Sequence, residues 1–123
     1  MYENAKYPNF MQYINMETGL ARVRGNVKLY KRMLALFTAS DEFARLEEAI
    51  ANKDANAAAD VAHAIKGMTG NLSLDCLFHI SEDLMHKFRA NEFDEDVISQ
   101  YHESLKITLE ILEDATKYLD SQG

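Results

Sequence analysis

An amphipathic helix is indicated by the stretch Ala62-His63-Ala64-Ile65-Lys66-Gly67-Met68-Thr69-Gly70-Asn71-Leu72. At about 100° per residue, one narrow apolar stripe contains Val61, Ile65, Met68 and Leu72. His63 projects about 200° from Val61, nearly opposite the stripe, and Lys66 follows one turn later. Gly67 and Gly70 lie beside them, although a glycine inside a helix costs about 1 kcal/mol relative to alanine. The pattern predicts an exposed histidine on a bare patch that meets another protein.

Helical spacing of apolar residues also dominates the chain before this stretch. A short leading segment ends at Gly25, and Asn26 is a good N-cap for the helix that follows it. Ser40-Asp41 interrupts that helix, and its apolar pattern then continues. The polar break at Asn52-Lys53-Asp54 precedes the alanine-rich helix that holds His63. The apolar residues that carry this spacing are Phe10, Tyr13, Ile14, Leu20, Val23, Val27, Tyr30, Leu34, Phe37, Phe43, Leu46 and Ile50.

Two further helices are predicted after Gly67 and Gly70. The first starts at Ser73 or Asp75 and ends before a turn at Asn91 to Asp94. The second runs from about Glu95 to the end of the chain. Their expected inward residues are Leu77, Leu84, Phe88, Ile98, Tyr101, Leu105, Leu109, Leu112 and Leu119.

Short loops between long amphipathic helices predict that neighbouring helices are antiparallel. We therefore expect residues 1–123 to form one all-α domain, an up-down antiparallel four-helix bundle with an additional short N-terminal helix. The last helix could instead be a coiled-coil dimerisation arm. Because its apolar pattern spans only about three heptads, a bundle helix in a monomer is favoured.

Composition narrows the classes of function. Hydrophobic residues make up 47% and charged residues 27%, which indicates a soluble globular chain. The net charge of −7, which no Lys/Arg cluster offsets locally, disfavours nucleic acid or an anionic membrane as partner. Cys76 is the only cysteine and has apolar neighbours, so we expect a buried thiol and no disulfide. Residues 1–15 lack a signal-peptide pattern, no apolar run could span a bilayer, and a cytoplasmic location is expected.

Two segments together resemble the histidine phosphotransfer (HPt) domain family. The first is His63-x-x-Lys66-Gly67 followed by Asn71-Leu72, which is similar to the phosphorylation-site helix of that family. The second is Gly19-Leu20-Ala21-Arg22-Val23 through Gly25-Asn26 to Tyr30, Leu34 and Phe37, which resembles the entry into the first bundle helix. They occur in the family's order and at about its spacing.

The resemblance implies a protein that relays phosphoryl groups between receiver-domain aspartates and has no kinase activity of its own. His63 would be the phosphorylated nucleophile, and Lys66 would stabilise phosphoryl charge. We expect partner contacts at Gly67, Gly70, Ala59 and Asp60. The implied partners are response-regulator receiver domains and a hybrid sensor histidine kinase. No cofactor is expected on this chain, because the receiver would supply Mg²⁺.

Two positions depart from the family pattern. A glycine is common where this chain has Ser73, and a polar residue that orients the histidine is frequent where it has Met85. Glu82, one turn earlier, matches a frequent acidic position. Without a polar residue at Met85, we expect the Nδ1 proton of His63 to bond to water, which would alter the lifetime of phosphohistidine but not abolish transfer.

Two alternative functions stay open. The chain could be an HPt-like module that docks receiver domains without carrying phosphate. It could also be a small metalloenzyme, since His79, Asp83 and His86 share a helical face and two histidines with a carboxylate resemble a catalytic metal set. His102, with polar neighbours, is interpreted as a residue of a solvated face.

Overall fold

The computed structural model describes residues 1–122, and all elements in this range are helical. After a 3₁₀ turn at Phe10–Gln12 come α1 (Met16–Arg22), α2 (Val27–Thr38), α3 (Glu42–Ala51), α4 (Ala55–Leu72), α5 (Asp75–Arg89) and α6 (Glu95–Gln122). The predicted all-α class is confirmed.

Side-chain caps fix where several helices begin. The Asn26 side chain accepts a hydrogen bond from the Leu29 amide at 3.0 Å, and that of Asp54 accepts one from the Ala57 amide at 3.1 Å. Asp94 caps α6 in the same way through the Val97 amide at 3.2 Å. Each such cap contributes about 1 kcal/mol, because it satisfies an amide that the first helical turn leaves free. The breaks expected from the sequence therefore lie where predicted.

The bundle has four sides. One side is formed by α2 and α3 together, and the other three are α4, α5 and α6. Lys31 on α2 pairs with Asp120, and Glu47 on α3 lies 2.6 Å from the His102 imidazole, earlier in α6. The chain therefore runs through α2 and then α3 antiparallel to α6. Since α4 packs on α3 and α5, and α5 packs on α6, the ring closes. The prediction of an up-down four-helix bundle with a short N-terminal helix is confirmed.

The core runs along the bundle axis and is centred on large side chains that solvent does not reach. Tyr30, Phe37, Phe88 and Tyr101 are each exposed by 2% or less. Burying one such side chain stabilises a fold by about 1.5–3 kcal/mol, so these four residues rank among its main supports.

The buried stripe of α6 differs from the predicted one. Leu105 and Leu109 are only half-buried, whereas Ser104 and Thr108 lie in the core at 8% and 1% exposure. Over 28 residues, a period of about 3.6 moves the inward face away from strict heptad positions. Polar residues consequently fall on the buried stripe, which an apolar pattern alone does not reveal.

Contacts from α2 and from the residue before α1 anchor the C-terminal end of α4. The hydroxyl of Tyr30 donates to the Leu72 carbonyl at 2.8 Å, and the Asn15 amide donates to the Ser73 carbonyl at 2.9 Å. Gly19 leaves room for this tyrosine, because a Cβ there would lie 2.4 Å from its hydroxyl oxygen. These contacts hold in place the end of the helix that carries His63.

Ser73 ends α4 in the left-handed backbone region, at φ 59°. Such a conformation costs a side-chain-bearing residue about 1–2 kcal/mol, which explains why glycine suits this position. The Thr18 hydroxyl lies 2.8 Å from the Ser73 hydroxyl, and this contact offsets part of the cost. The departure at Ser73 is therefore compatible with the fold.

Candidate functional site

His63 lies on the outward side of α4 and is exposed. Val61 and Ile65, on the opposite side of the helix, are 6% and 0% exposed. The predicted orientation of His63 away from the apolar stripe is therefore confirmed. Its imidazole is accessible to a second protein that approaches α4 from outside the bundle.

Lys66 is less free than its sequence position suggests. Its side chain crosses to α5, where the ammonium lies 2.9 Å from Glu82 Oε2 and 5.8 Å from the centre of the Phe78 ring. The side chain of Lys66 is 26% exposed. The hydrogen bond and charge of Lys66 lower the pKa of the Glu82 carboxyl. A cation thus lies one helical turn from His63, but it is already paired.

The two glycines of the site helix have different surroundings. A Cβ at Gly67 would meet no heavy atom within 4 Å, so the surface beside His63 is bare there, as expected. A Cβ at Gly70 would lie 3.1 Å from the Phe78 ring. Gly70 therefore serves the packing of α4 against α5, and the expected bare patch is restricted to Gly67.

Ala59 and Asp60 also differ from one another. Asp60 is exposed, whereas Ala59 is 6% exposed. Because α4 packs against both α3 and α5, the flank that holds Ala59 is covered. The expectation that Ala59 lies on the partner surface is thus at odds with its burial, whereas Asp60 is accessible.

Met85 lies level with His63 on the neighbouring helix. The Lys66–Glu82 pair and the contact of Gly70 with Phe78 fix the antiparallel register of α4 and α5, which brings residue 85 opposite residue 63. Met85 is 3% exposed and offers only a thioether to its surroundings. This register is consistent with the expectation that His63 has no polar partner at position 85.

The remaining histidines form no metal centre in the part of the chain that the structure describes. His79 and His86 are exposed on α5, but within residues 1–122 no three His, Cys, Asp or Glu side chains are close enough to hold an ion. His102 pairs with Glu47 on the surface, as expected of a solvated-face residue that also finds a partner. The metalloenzyme alternative has no geometric support in this region.

Cys76 is only partly buried, in contrast to the expectation of a buried thiol. Its sulfur lies 3.2 Å from the Ser104 hydroxyl on α6. The residue therefore belongs to the seam between α5 and α6 and lies on its outer edge.

The structure shows a basic surface, in contrast to the expectation that no Lys/Arg cluster offsets the negative charge locally. Apart from the adjacent Lys31-Arg32, its cations are separated by one to three uncharged residues, so no dense run of basic residues stands out in the sequence. Three of them lie on α2, one ends α1, and one lies between these two helices. The positions are Arg22, Arg24, Lys28, Lys31 and Arg32.

Fold and site define a class of protein: a helical bundle that presents one exposed histidine beside a glycine and a lysine. The family model described as Hpt domain matches residues 32–119 of the 123-residue chain, a range that contains the whole of α4. The protein belongs to the Hpt domain family, whose members transfer phosphoryl groups through a histidine in phosphorelays and act as carriers rather than kinases. No curated protein and no solved structure matches the chain significantly. In residues 1–122 no helix has the length and apolar character needed to cross a membrane.

Proposed function

We propose that this protein is a phosphocarrier in which His63 accepts a phosphoryl group from the aspartate of one receiver domain and passes it to another. The observation that carries the proposal is the combination of an exposed imidazole, open space at Gly67 and a cation at Lys66. Phosphoryl transfer requires an in-line nucleophile and positive charge on the equatorial oxygens. The site supplies the nucleophile and one positive charge.

The transfer step balances without a further reactant. The Nε2 lone pair of His63 attacks the phosphorus of an aspartyl phosphate, the N–P bond forms, and the P–O bond to the carboxylate breaks. The carboxylate leaves with the electron pair, while the ring proton stays on Nδ1. Onward transfer is the reverse reaction with a second aspartate. The receiver domain supplies Mg²⁺, and this chain needs no cofactor of its own.

Lys66 has to change partners during this step. In the resting protein its ammonium neutralises Glu82, and a phosphoryl group on His63 would offer it a doubly charged partner one turn away. Lys66 acts as a point charge on a flexible stem, so the exchange needs only rotation about side-chain bonds. Lys66 can therefore stabilise the negative charge of a phosphoryl group once that group is on His63.

A carrier of this kind depends on its partners for chemistry. The sequence contains no glycine-rich loop to cradle nucleotide phosphates, so we expect no autophosphorylation from ATP. A hybrid sensor histidine kinase is the expected source of phosphoryl groups. Because the apolar stripe of α6 is buried within the bundle, we propose that the carrier acts as a monomer. We also propose a cytoplasmic location.

The decisive experiment is incubation with a panel of phosphorylated receiver domains, followed by mass mapping of the phosphorylated residue. We expect one phosphoryl group on His63, labile in acid and stable in alkali, as a phosphoramidate is. His63→Gln should lose the label and keep its helix content. A protein that binds receivers without accepting phosphate would instead be a docking module, and the carrier proposal would fail.

A further inference from the structure

Charge is distributed very unevenly along the chain. The 23 residues from Thr18 to Ser40 contain five cationic side chains and no acidic one, whereas the rest of the chain holds all 20 acidic residues and eight basic ones. Among residues 1–122, only Lys31 of these five cations has an ion-pair partner, Asp120. The segment therefore forms a positive surface on an otherwise acidic protein.

Helical geometry sorts the side chains across the outer surface of α2. At about 100° per residue, the order from one flank to the other is Lys31, Lys28, Arg32, Leu36, Leu29 and Met33. Lys31 marks the flank next to α6, because it pairs with Asp120. The flank of Leu29 and Leu36 consequently lies on the side of α4, which α2 also contacts.

Leu29 and Leu36 are exposed far more than leucines on a helix of a bundle need to be. Their exposed fractions are 41% and 65%, and both are among the few large hydrophobic residues that lie open to solvent. Two leucines seven residues apart, with Arg32 between them, form an apolar strip with a basic edge. Such a strip is typical of a surface that another protein covers.

The strip lies at the level of the phosphorylation site. The hydroxyl of Tyr30 bonds to the Leu72 carbonyl, and α2 runs antiparallel to α4. Counting from this contact at about 1.5 Å per residue places Leu36 near the level of Lys66, one turn from His63. A protein that approaches His63 from outside the bundle therefore also meets α2.

We propose that Lys28, Leu29, Arg32 and Leu36, the α2 face, form a docking surface for a receiver domain whose contact helix is apolar in the centre and acidic at the edge. The inference rests on the proposed function, since it names the chemistry of the receiver that His63 meets. Complementary charge at the rim of an interface raises the rate of encounter and selects among partners. An extended polyanion fits less well, because the acidic remainder of the chain repels it.

The test compares two double charge reversals. Lys28→Glu with Arg32→Glu alters the α2 face, and Lys106→Glu with Lys117→Glu makes the same change in charge at exposed positions of α6. Phosphotransfer is measured against the concentration of the receiver that reacts fastest with the unaltered protein, at low and high salt. We expect the α2 reversal to raise KM about tenfold at low salt with little change in kcat. The α6 reversal should leave KM within about twofold.

A third variant, Leu36→Ser, tests the apolar part of the surface. It should raise KM at both salt concentrations, since the lost contact is not electrostatic. Equal KM values for the two charge reversals would overturn the docking surface while leaving the carrier function intact. Absence of transfer from every receiver would instead refute the carrier function itself. Binding of anionic vesicles or single-stranded DNA by the unaltered protein, lost in the α2 reversal alone, would overturn the assignment to a receiver.

Discussion

Lys66 and Glu82 join the site helix α4 to its neighbour α5 through an ion pair of 2.9 Å. The carboxylate therefore holds the only lysine of α4 beside the nucleophile, and it also neutralises the charge that a phosphoryl group would use. Both side chains are partly exposed, at 26% and 38%, so solvent weakens the pair and a phosphoryl dianion can compete for the lysine. The pair positions Lys66 without locking it.

Removing the lysine should change the titration of Glu82. Lys66 lowers the pKa of this carboxyl from its ordinary 4.5, so the contribution of the pair to stability is present above that pH and is lost as pH falls through the lowered pKa. In Lys66→Ala we expect the Glu82 pKa to rise toward 4.5, measured by NMR titration of side-chain carboxyl carbons. Asp94 is the internal control, because its pKa is lowered mainly by the Val97 amide. An unchanged Glu82 pKa would show that the pair does not form in solution.

Neutralising the carboxylate should favour the phosphorylated protein. Glu82→Gln releases Lys66, and the equilibrium of transfer from a phosphorylated receiver should shift toward phosphohistidine by about fivefold or less, the scale of an exposed ion pair. The effect should vanish when Lys66→Ala is already present, as a double-mutant cycle would show. Asp83→Asn removes the same charge from a neighbouring exposed position and should have a smaller effect. A Glu82→Gln effect that persists without Lys66 would mean direct repulsion of the phosphoryl group.

Substitutions at Gly67 should separate folding from docking. Open space surrounds its Cβ position, so Gly67→Ala is expected to stabilise the protein by up to about 1 kcal/mol through helix propensity. Gly67→Leu should keep the helix content and block transfer, because the side chain obstructs the receiver. Circular dichroism measures the helix content, thermal unfolding measures the stability, and phosphotransfer rates measure the transfer. Normal transfer by Gly67→Leu would show that this glycine is not at the docking surface.

Alanine at position 19 should destabilise the protein, whereas alanine at position 67 should stabilise it. A Cβ at position 19 would lie 2.4 Å from the Tyr30 hydroxyl oxygen and 2.6 Å from its ring. Gly19→Ala must therefore displace the tyrosine from the Leu72 carbonyl, and we expect a loss of about 2–3 kcal/mol in the free energy of unfolding. Chemical denaturation checks the prediction, with Gly67→Ala as the control for a harmless alanine. Unchanged stability would mean that close packing of Gly19 against Tyr30 is not needed to hold the end of α4.

Local signals in the sequence were sufficient for the helices, because caps such as Asn26 and Asp54 act on amides three residues away. The orientation of His63 likewise depends only on the 3.6-residue period of its own helix. The partner of Lys66 and the ring that covers Gly70 depend on the register between α4 and α5. That register is fixed by packing between elements, which a periodic pattern within one element does not encode.

The Leu29 and Leu36 strip shows the same limit from another side. Each leucine occupies a position that helical spacing assigns to the flank of α2, where a bundle could bury it or leave it exposed. Only the positions of α6 and α4 relative to α2 decide between these outcomes. The basic edge was missed because Lys28 and Arg32 are four residues apart, which makes them neighbours on a helix but not in the sequence.

Of the four histidines, only His63 should carry phosphate. His79 and His86 lie on α5 beside the carboxylates of Glu82 and Asp83, which repel an incoming phosphoryl group, and His102 is paired with Glu47. A variant with His79→Gln, His86→Gln and His102→Gln should therefore accept one phosphoryl group per chain at close to the normal rate. Its stability should fall by no more than about 1 kcal/mol, since the lost His102 contact is exposed. Intact-mass spectrometry after incubation with a phosphorylated receiver measures the stoichiometry. Loss of the label from this variant, with its helix content unchanged, would place the phosphorylation site on one of the other three histidines.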